Sequence, residues 1–278
     1  MKEAVKQTIR SMVGASGGTR LGRFVLRTLT ERAMQESRAV SHNGVSLRFT
    51  APNVLCEWRA STFSTKEPET LEWIDAIPES AVLWDVGANV GLYSVYAAKA
   101  RGCRVWAFEP SVFNLELLAR NIHLNQLTSK VCIVPLALSD TLAANRMRMT
   151  TTEWGGALST FGKELGWDGQ AVDEVFEYQL LGLTMDDALQ RLAIPQPDYL
   201  KMDVDGIEHF ILKGGAAVLA KVRQVLIEVN DDFEEQAQQC HALLTASGLS
   251  LRDKRHSEMM ETSTTGYAHS FNQIWVRA

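Results

Sequence analysis

The fold is decided by the stretch from Trp84 to Leu92, which reads WDVGANVGL. An apolar run at 81–83 precedes it, and a helix-like segment at 93–100 follows it. A buried strand that ends in an acidic residue, a tight glycine turn and a helix together form the crevice in which α/β proteins bind nucleotides. Glycines in such a turn let the backbone approach a ligand that a side chain would block. The stretch therefore predicts a nucleotide-type ligand at the end of the first core strand.

A carboxylate follows at the spacing that this crevice requires. Residues 105–110 read VWAFEP, a second buried strand that ends at Glu109, 18 residues after Gly91. In this position a carboxylate accepts hydrogen bonds from the hydroxyl groups of a ribose. We therefore expect Glu109 to bind the sugar of the ligand.

The glycine spacing separates two kinds of nucleotide ligand. A dinucleotide site needs GxGxxG, and alignment on Gly87 would require glycines where Asn89 and Leu92 stand. The pattern present, DxGxxxG, suits a ligand without phosphates and with an amino-acid tail. The ammonium group of such a tail can face Asp85 or nearby carbonyls, and its carboxylate can face turn amides. S-adenosylmethionine fits this description, whereas the spacing disfavours an NAD-dependent oxidoreductase.

The composition limits the class of protein. With 278 residues, 46% of them hydrophobic, the chain can bury a full core. Its formal net charge of −5 argues against wholesale binding to nucleic acid. The four cysteines show neither a CxxC pair nor zinc-ligand spacing. No apolar run approaches the ~18 residues of a membrane span and no signal-peptide core is present, so we expect a soluble, cytoplasmic protein.

The N-terminal region differs from the remainder in charge. Residues 1–48 contain nine Lys/Arg and three Asp/Glu. Residues 1–36 are predicted to be helical with a break at 14–18, and the second helical part has one apolar face, formed by Leu21, Phe24, Val25 and Leu29. A basic amphipathic helix of this kind can contact an anionic membrane or an acidic partner. The competing interpretation is that it docks on its own body or on a second copy in a homo-oligomer.

Two units are predicted along the chain. Residues 1–57 form a helical and hairpin extension, with hairpin strands at 45–49 and 54–58, and residues 58–278 form the main domain. From residue 81 onward strands alternate with helices, which predicts an α/β fold with a mostly parallel sheet and helices on both faces. Five core strands and two closing antiparallel strands are expected, at 81–86, 104–109, 130–136, 199–204, 225–229, 249–254 and 271–277.

An acidic corner follows the fourth core strand. Residues 201–209 read KMDVDGIEH, and in a doubly wound sheet this corner lies beside the first turn, where ligands bind. Asp203 can face the amino group of the cofactor, and Glu208 or His209 can take a proton from a substrate hydroxyl. Alternatively, Asp205 and Glu208 only cap the next helix.

A metal is the alternative to a protein base at this corner. Asp203, Asp205 and Glu228, which lies near the end of the fifth strand, could hold Mg²⁺ and lower the pKa of an acceptor hydroxyl. The interpretation without a resident metal is favoured. A third hypothesis, of another class, is a non-catalytic cofactor-binding subunit that scaffolds a partner.

Taken together, these motifs resemble the FkbM family of S-adenosylmethionine-dependent methyltransferases. The resemblance covers about residues 58–230 and is carried by 84–94, 108–110, 121–127, 137–140, 184–189, 199–214 and 226–228. It implies a Rossmann-like class I methyltransferase fold with a seven-stranded sheet, and methyl transfer, usually to oxygen, on sugars, glycans or secondary metabolites. Residues 1–45 lie outside the resemblance.

The resemblance also implies roles for individual residues. Residues of the glycine turn would hold the methionine portion of S-adenosylmethionine, Glu109 the ribose, and residues 137–138 the edge of the adenine. The cofactor-binding residues are thus predicted to be Asp85, Gly87, Ala88, Asn89, Glu109, Pro110, Ala137, Leu138 and Asp203. Glutamate is commoner in the family at the place of Asp205. The shorter aspartate side chain argues against a role at this position that requires a longer side chain.

The predicted catalytic residues are Asp203, Glu208 and His209, with Glu208 ahead of His209 as the base. The less regular segment 141–181, with Gly155 and Gly156 as a hinge, is expected to cover the acceptor.

Overall fold

The N-terminal part of the chain forms helices and one hairpin. The computed structural model describes residues 2–256 and 267–277. The first elements are α1 (Lys2–Ser16), α2 (Arg20–Gln35), β1 (Ser37–His42), β2 (Val45–Thr50), α3 (Val54–Ser61) and α4 (Pro68–Asp75).

The main domain then alternates strands and helices. Its first half contains β3 (Val82–Val86), α5 (Leu92–Ala100), β4 (Arg104–Phe108), α6 (Val112–Leu124), β5 (Val131–Val134), β6 (Ala137–Leu138), β7 (Ala143–Met149), β8 (Thr160–Phe161) and β9 (Phe176–Leu183). Its second half contains α7 (Met185–Arg191), β10 (Tyr199–Met202), α8 (Glu208–Lys213), α9 (Ala216–Leu219), β11 (Gln224–Asn230), α10 (Glu234–Ala246), β12 (Leu249–Arg255) and β13 (Ser270–Arg277).

One seven-stranded sheet organises the domain, in the order β12-β13-β11-β10-β3-β4-β5. The strands from β11 to β5 are parallel, and β13 runs antiparallel between β11 and β12. This confirms the predicted α/β fold, its mostly parallel seven-stranded sheet and its antiparallel edge. The chain leaves β3 toward β4 and β5 and returns on the other side at β10. That reversal opens a crevice at the carboxyl ends of β3 and β10, where such sheets bind ligands.

The sequence of β3 explains its central place. All five of its residues are buried, as expected for a parallel strand covered on both faces. Side chains alternate between the faces, so that Val82, Trp84 and Val86 join one apolar cluster and Leu83 joins the other. The same alternation places Asp85 on the Leu83 side of the sheet.

The predicted hairpin is correct in kind but wrong in its second strand. The two strands are β1 and β2, joined by Asn43 and Gly44 with φ of 46° and 79°, which suits a two-residue turn of type I′. Residues 54–58 are instead the start of α3. The side chain of Asn53 accepts a hydrogen bond from the amide of Cys56 and so caps that helix.

The hairpin packs on the main domain through two asparagines of α6. Asn121 Oδ1 accepts from the amide of Thr50 at 2.7 Å, and Asn125 Oδ1 accepts from the amide of Arg48 at 3.0 Å. These bonds satisfy backbone groups of β2 that have no strand partner. The boundary proposed between residues 57 and 58 falls within α3.

A second, four-stranded sheet, β6-β9-β7-β8, covers part of the crevice. In the described parts of the chain no helix is both long and apolar enough to span a membrane.

Candidate active site

A cavity of about 550 Å³ opens at the carboxyl ends of β3, β4, β10 and β11. Its walls come from the turn after β3, the end of β4, the corner after β10, helix α3 and the second sheet. This is the place that the sequence predicts for the ligand.

The two glycines of the turn are required by protein packing. Gly87 has φ of +82°, and a Cβ there would lie 1.8 Å from the carbonyl oxygen of Asp203. Gly91 has φ of +83°, and a Cβ there would lie 2.3 Å from Leu118 Cδ1. Gly87 lines the cavity, but the contact that excludes its side chain is with Asp203, the residue that follows β10. The sequence-based explanation, in which the ligand excludes the side chain, is therefore incomplete.

Glu109 lies where a ribose can be bound. Its two carboxylate oxygens accept hydrogen bonds from the amides of Asn89 and Ser111, each at 2.7 Å. A carboxylate oxygen accepts more than one hydrogen bond, so both retain capacity toward the cavity, which Glu109 lines together with Pro110. Burial raises the pKa of Glu109 to about 7, although the two amides favour the carboxylate.

Ala137 and Leu138, which the resemblance assigns to the adenine edge, form part of an apolar wall. Both are buried and line the cavity together with Met147 and Phe161 of the second sheet. An apolar slot of this kind suits a flat heterocycle.

Asp85 does not line the cavity. It is 1% exposed and accepts a hydrogen bond from Ser94 Oγ at 2.5 Å, and its other oxygen lies 3.9 Å from Lys201 Nζ. Burial raises its pKa, although Lys201 and Ser94 act in the opposite direction. The predicted direct contact between Asp85 and the ligand is thus not supported. Its side chain lies on the Leu83 face of the sheet, behind the turn, and there positions Ser94 and Lys201.

Ala88 and Asn89 line the cavity, but the side chain of Asn89 is engaged elsewhere. Asn89 Nδ2 donates to the carbonyl of Gly156 at 2.8 Å, and its Oδ1 accepts from the amide of Val90. Asn89 therefore joins the turn after β3 to the segment that covers the cavity.

The loop that contains Gly155 and Gly156 covers the cavity, and we call it the covering loop. Hydrogen bonds hold it at several points, so its two glycines do not form a free hinge. Asn114 accepts from the amide of Gly155 at 3.0 Å and donates to the carbonyl of Gly156 at 3.1 Å. Arg59 Nε donates to the carbonyl of Gly155 at 2.7 Å. Neither Arg59 nor Asn114 was predicted to serve the site, because no local pattern marks a bond across 41 or 96 residues.

Of the predicted catalytic residues, only Asp203 lines the cavity. Glu208 is 1% exposed, and its carboxylate accepts from the amides of Val204 and Gly206 and from Gln236 Nε2. Burial raises the pKa of Glu208 to about 7. The predicted role of Glu208 as a base is corrected, since its carboxylate holds the corner together from inside the fold.

His209 also points away from the cavity. It is 1% exposed, and the centroid of its ring lies 4.0 Å from that of Phe210 and 5.8 Å from that of Phe233. Its ring nitrogens have no hydrogen-bond partner among the described residues. Burial lowers its pKa to about 4. A neutral imidazole packed among aromatic rings contributes to the core, so its predicted role as a base is corrected as well.

The acidic corner does contribute a second cavity-lining carboxylate, Asp205. Its Oδ2 accepts from the amide of Leu158 at 2.7 Å, which ties the corner to the covering segment. Burial and the nearby Asp203 raise the pKa of Asp205 to about 6.

A network of charged groups surrounds Asp203 and was not predicted from the sequence. Lys201 Nζ lies 3.2 Å from Asp203 Oδ2; the Lys201 side chain is 2% exposed and that of Asp203 27%. Burial alone would raise the pKa of Asp203, but Lys201 and Lys66 lower it below its ordinary value. Asp203 is therefore an ionised carboxylate that faces the cavity.

Glu228 completes a carboxyl pair with Asp203. The two carboxyl groups are hydrogen-bonded. Burial, and then the charges of Asp203 and Glu67, raise the pKa of Glu228 well above its ordinary value. The raised pKa favours the protonated form of Glu228, which can donate a hydrogen bond to the Asp203 carboxylate.

Lys66, Glu67 and Tyr93 form the opposite side of the network. Lys66 Nζ lies 2.5 Å from Glu67 Oε1, and Glu67 is hydrogen-bonded to the hydroxyl of Tyr93. All three line the cavity. A lysine at position 201 inside the apolar run of β10 was the one visible signal of this network, because a buried ammonium group needs carboxylate partners.

The carboxyl groups of the magnesium hypothesis do not form a ligand set. Asp203, Asp205 and Glu228 all line the cavity. Across residues 2–256 and 267–277, however, no three His, Cys, Asp or Glu side chains are grouped so that they could hold a metal ion. Asp203 instead faces the ammonium group of Lys201 at 3.2 Å. These residues do not fit a resident Mg²⁺.

Three relatives illustrate what this chain is similar to. Hexuronic acid methyltransferase AglP of Haloferax volcanii is 25% identical over 201 residues, which cover 68% of this chain and 72% of AglP. The 31-O-demethyl-FK506 methyltransferase FkbM of Streptomyces tacrolimicus is 27% identical over 172 residues, 54% of this chain and 65% of that protein. The AMB antimetabolite synthetase AmbE of Pseudomonas aeruginosa is 31% identical over 191 residues, 56% of this chain and 9% of AmbE. This chain thus corresponds to a small part of AmbE.

The family follows from a match over most of the main domain. Residues 85–262 match the family described as "Methyltransferase FkbM domain". This match spans more than half of the chain and confirms the resemblance carried by the sequence motifs. The chain belongs to the FkbM family of methyltransferases.

Proposed function

We propose that the protein transfers the methyl group of S-adenosylmethionine to a hydroxyl oxygen of a sugar, a glycan or a secondary metabolite. The observation that carries this proposal is that Glu109 and the Asp203 network line the same cavity. The names of AglP and FkbM, which are methyltransferases of a hexuronic acid and of a demethylated metabolite, support the class of acceptor.

The donor end of the cavity is assigned by its chemistry. Glu109 accepts hydrogen bonds from the ribose hydroxyls, and the wall that contains Ala137 and Leu138 packs on the adenine. The backbone of residues 87–89 lies against the methionine portion. When bound, S-adenosylmethionine supplies a methyl group that is already activated for transfer. The remaining task of the protein is to place an acceptor oxygen in line with the bond that breaks, which can contribute effective molarities of about 10⁵–10⁸ M.

The acceptor end is assigned to Asp203. Its carboxylate orients the acceptor hydroxyl by accepting its hydrogen bond. The Asp203–Glu228 pair would take the alcohol proton, which becomes strongly acidic once the oxygen gains the methyl group; the donor would supply that methyl group and remain as a neutral thioether. The lowered pKa of Asp203 makes it a weak base toward a free alcohol, so the proton moves late. A positioned base of this kind accelerates a reaction by about 10²–10⁴-fold.

Lys66 and Lys201 keep this arrangement in place. Both raise the ionised fraction of Asp203, and Lys201 connects it to Asp85 beneath the glycine turn. The carboxylate is thereby held at the junction of β3 and β10.

Binding and turnover test the proposal separately. Calorimetric titration with S-adenosylhomocysteine and with NAD should show binding of the first compound alone. Transfer of a labelled methyl group should then be measured on uronic acids, neutral sugars and hydroxylated polyketides. Absence of binding to S-adenosylhomocysteine contradicts the donor assignment. Binding without transfer to any acceptor supports the scaffold hypothesis instead.

A further inference from the structure

The N-terminal helices expose an apolar face that the rest of the chain does not cover. In α2 the exposed fractions are 73% for Leu21, 66% for Phe24 and 58% for Leu29. Val25 lies among them and is also exposed. The spacing i, i+3, i+4 and i+8 places these four side chains on one side of the helix.

Helix α1 adds to this apolar surface. Val5, Met12 and Val13 are exposed large hydrophobic residues of α1. Such residues are unremarkable when scattered singly, but a contiguous patch with a polar border is typical of an interaction surface. We call the exposed residues of α1 and α2 together the helical hairpin face.

The helical hairpin contacts the remainder of the protein mainly at its base. Gly22 is the one fully buried residue in α2. Leu26 is directed toward the turn between the two helices, where a Cβ added at Gly17 would lie 3.4 Å from Leu26 Cδ1. Met34, near the end of α2, packs on the cluster around Cys56 and Val90. The apolar side chains that precede Leu26 are therefore presented outward.

The net charge of the segment that forms α1 and α2 is opposite in sign to that of the whole chain. Residues 1–35 contain seven Lys/Arg and two Asp/Glu, whereas the whole chain has a net charge of −5. In α2 the residues Arg20, Arg23 and Arg27 follow each other along the side adjacent to the apolar stripe. Apolar side chains flanked by arginines match a surface that offers hydrocarbon beneath anionic groups.

We infer that the helical hairpin face docks on an anionic lipid bilayer. Helices α1 and α2 lie in the plane of the interface, with Leu21, Phe24 and Leu29 inserted among the acyl chains and the arginines among the headgroup phosphates. A second copy of the chain is the less favoured occupant. A symmetric contact through this face would bring two strongly basic segments together, whereas an anionic bilayer satisfies both the apolar and the basic residues. The inference does not depend on the methyl-transfer proposal.

Co-sedimentation with vesicles tests the inference on the full chain. The protein is mixed with vesicles of phosphatidylcholine, with or without phosphatidylglycerol, at low and high salt. We expect binding to the anionic vesicles, weakening with salt, and little binding to pure phosphatidylcholine. Equal binding to both kinds of vesicle, or to neither, overturns the inference.

Three variants separate the apolar and the basic contributions. Leu21→Ser with Phe24→Ser and Leu29→Ser should weaken binding to anionic vesicles roughly tenfold or more, since insertion scales with buried apolar area. Arg20→Gln with Arg23→Gln and Arg27→Gln should weaken it by a similar factor and reduce the dependence on salt. The matched control replaces three exposed leucines of the body by serine, Leu142, Leu192 and Leu251, and should bind as the parent does.

Light scattering without lipid distinguishes the second copy. We expect the same mass for the parent and for the serine variant of α2. A stable dimer that this variant converts to monomer overturns the inference and assigns the face to self-association. Circular dichroism of each variant should match the parent, because all substituted positions are exposed.

Discussion

The amide of Asn89 donates a hydrogen bond to Glu109 Oε2 at 2.7 Å. This bond joins the glycine turn after β3 to the end of β4, so the two sequence motifs that indicate the ligand are parts of one structure. The same Glu109 carboxylate accepts from Ser111 at the start of α6. A change in its protonation therefore acts directly on the site proposed for the ribose.

Cofactor binding should depend on pH through Glu109. Its pKa is raised to about 7 in the free protein, chiefly by burial. Ribose hydroxyls donate to the carboxylate form, so affinity is complete above this pKa and falls as the pH decreases through 7. The dissociation constant for S-adenosylhomocysteine should rise by up to about tenfold between roughly pH 8 and pH 6. Calorimetry measures this directly.

Glu109→Gln provides the control for this pH dependence. The variant should bind S-adenosylhomocysteine about tenfold or more weakly, because it loses an acceptor of charged character. Its affinity should no longer change across the same pH range. An equally steep pH dependence in the variant assigns the titration to another group, such as Asp205.

Replacing the carboxyl group of Asp203 should reduce turnover, whereas replacing that of Glu208 should reduce stability. Asp203→Asn should reduce turnover by about 10²–10⁴-fold and leave the affinity for S-adenosylhomocysteine within a few-fold, because Asp203 is assigned to the acceptor end. Steady-state rates and calorimetry on the same preparation measure both quantities.

Glu208→Gln should affect the fold instead of the chemistry. The buried carboxylate accepts hydrogen bonds from the backbone amides of Val204 and Gly206. A glutamine side chain in its place would direct N–H donors at these N–H donors. We expect a loss of about 1–3 kcal/mol in the free energy of unfolding, with turnover of the folded enzyme nearly unchanged. A large loss of turnover at unchanged stability reinstates Glu208 as the base.

The position of the covering loop over the cavity should depend on Asn114. Asn114→Ala removes both hydrogen bonds to Gly155 and Gly156, so we expect a higher KM for the acceptor together with faster proteolysis of the loop. Asn125→Ala is the matched control, since Asn125 is also a buried asparagine of α6 but binds the hairpin at Arg48. It should lower stability and leave KM unchanged. Equal kinetic effects of the two variants contradict the assignment of Asn114 to the loop.

Alanine substitutions at Gly87 and at Gly44 should separate the cost of a steric clash from the cost of backbone strain. Both have positive φ, +82° and +79°, but a Cβ at Gly87 meets the Asp203 carbonyl at 1.8 Å whereas none lies within 4 Å at Gly44. Gly44→Ala should cost about 1–2 kcal/mol of unfolding free energy. Gly87→Ala should cost considerably more, or prevent folding. Denaturant titration measures both, and similar costs contradict the role assigned to the Asp203 carbonyl.

The sequence by itself predicts the parallel sheet and its edge. Strands such as 81–86 and 225–229 are mostly apolar runs separated by helical segments, and this local pattern is sufficient to define a doubly wound fold. The site at the carboxyl ends follows from the same topology, and Glu109 follows from its spacing to Gly91. The hairpin strand at 54–58 is wrong because the cap at Asn53 turns that apolar run into a helix that buries Cys56 and Ala60.

What the sequence determined is the succession of strands and helices along the chain and the family, because both are expressed in residues close together along the chain. Tertiary structure alone decided which charged groups meet. The corner 203–209 offers three carboxylates and a histidine, yet only Asp203 and Asp205 face the cavity, since helix α8 turns Glu208 and His209 into the fold. Lys66, just before α4, and Glu228, on β11, both act on Asp203. Their charges depend on burial and proximity, which no local sequence pattern encodes.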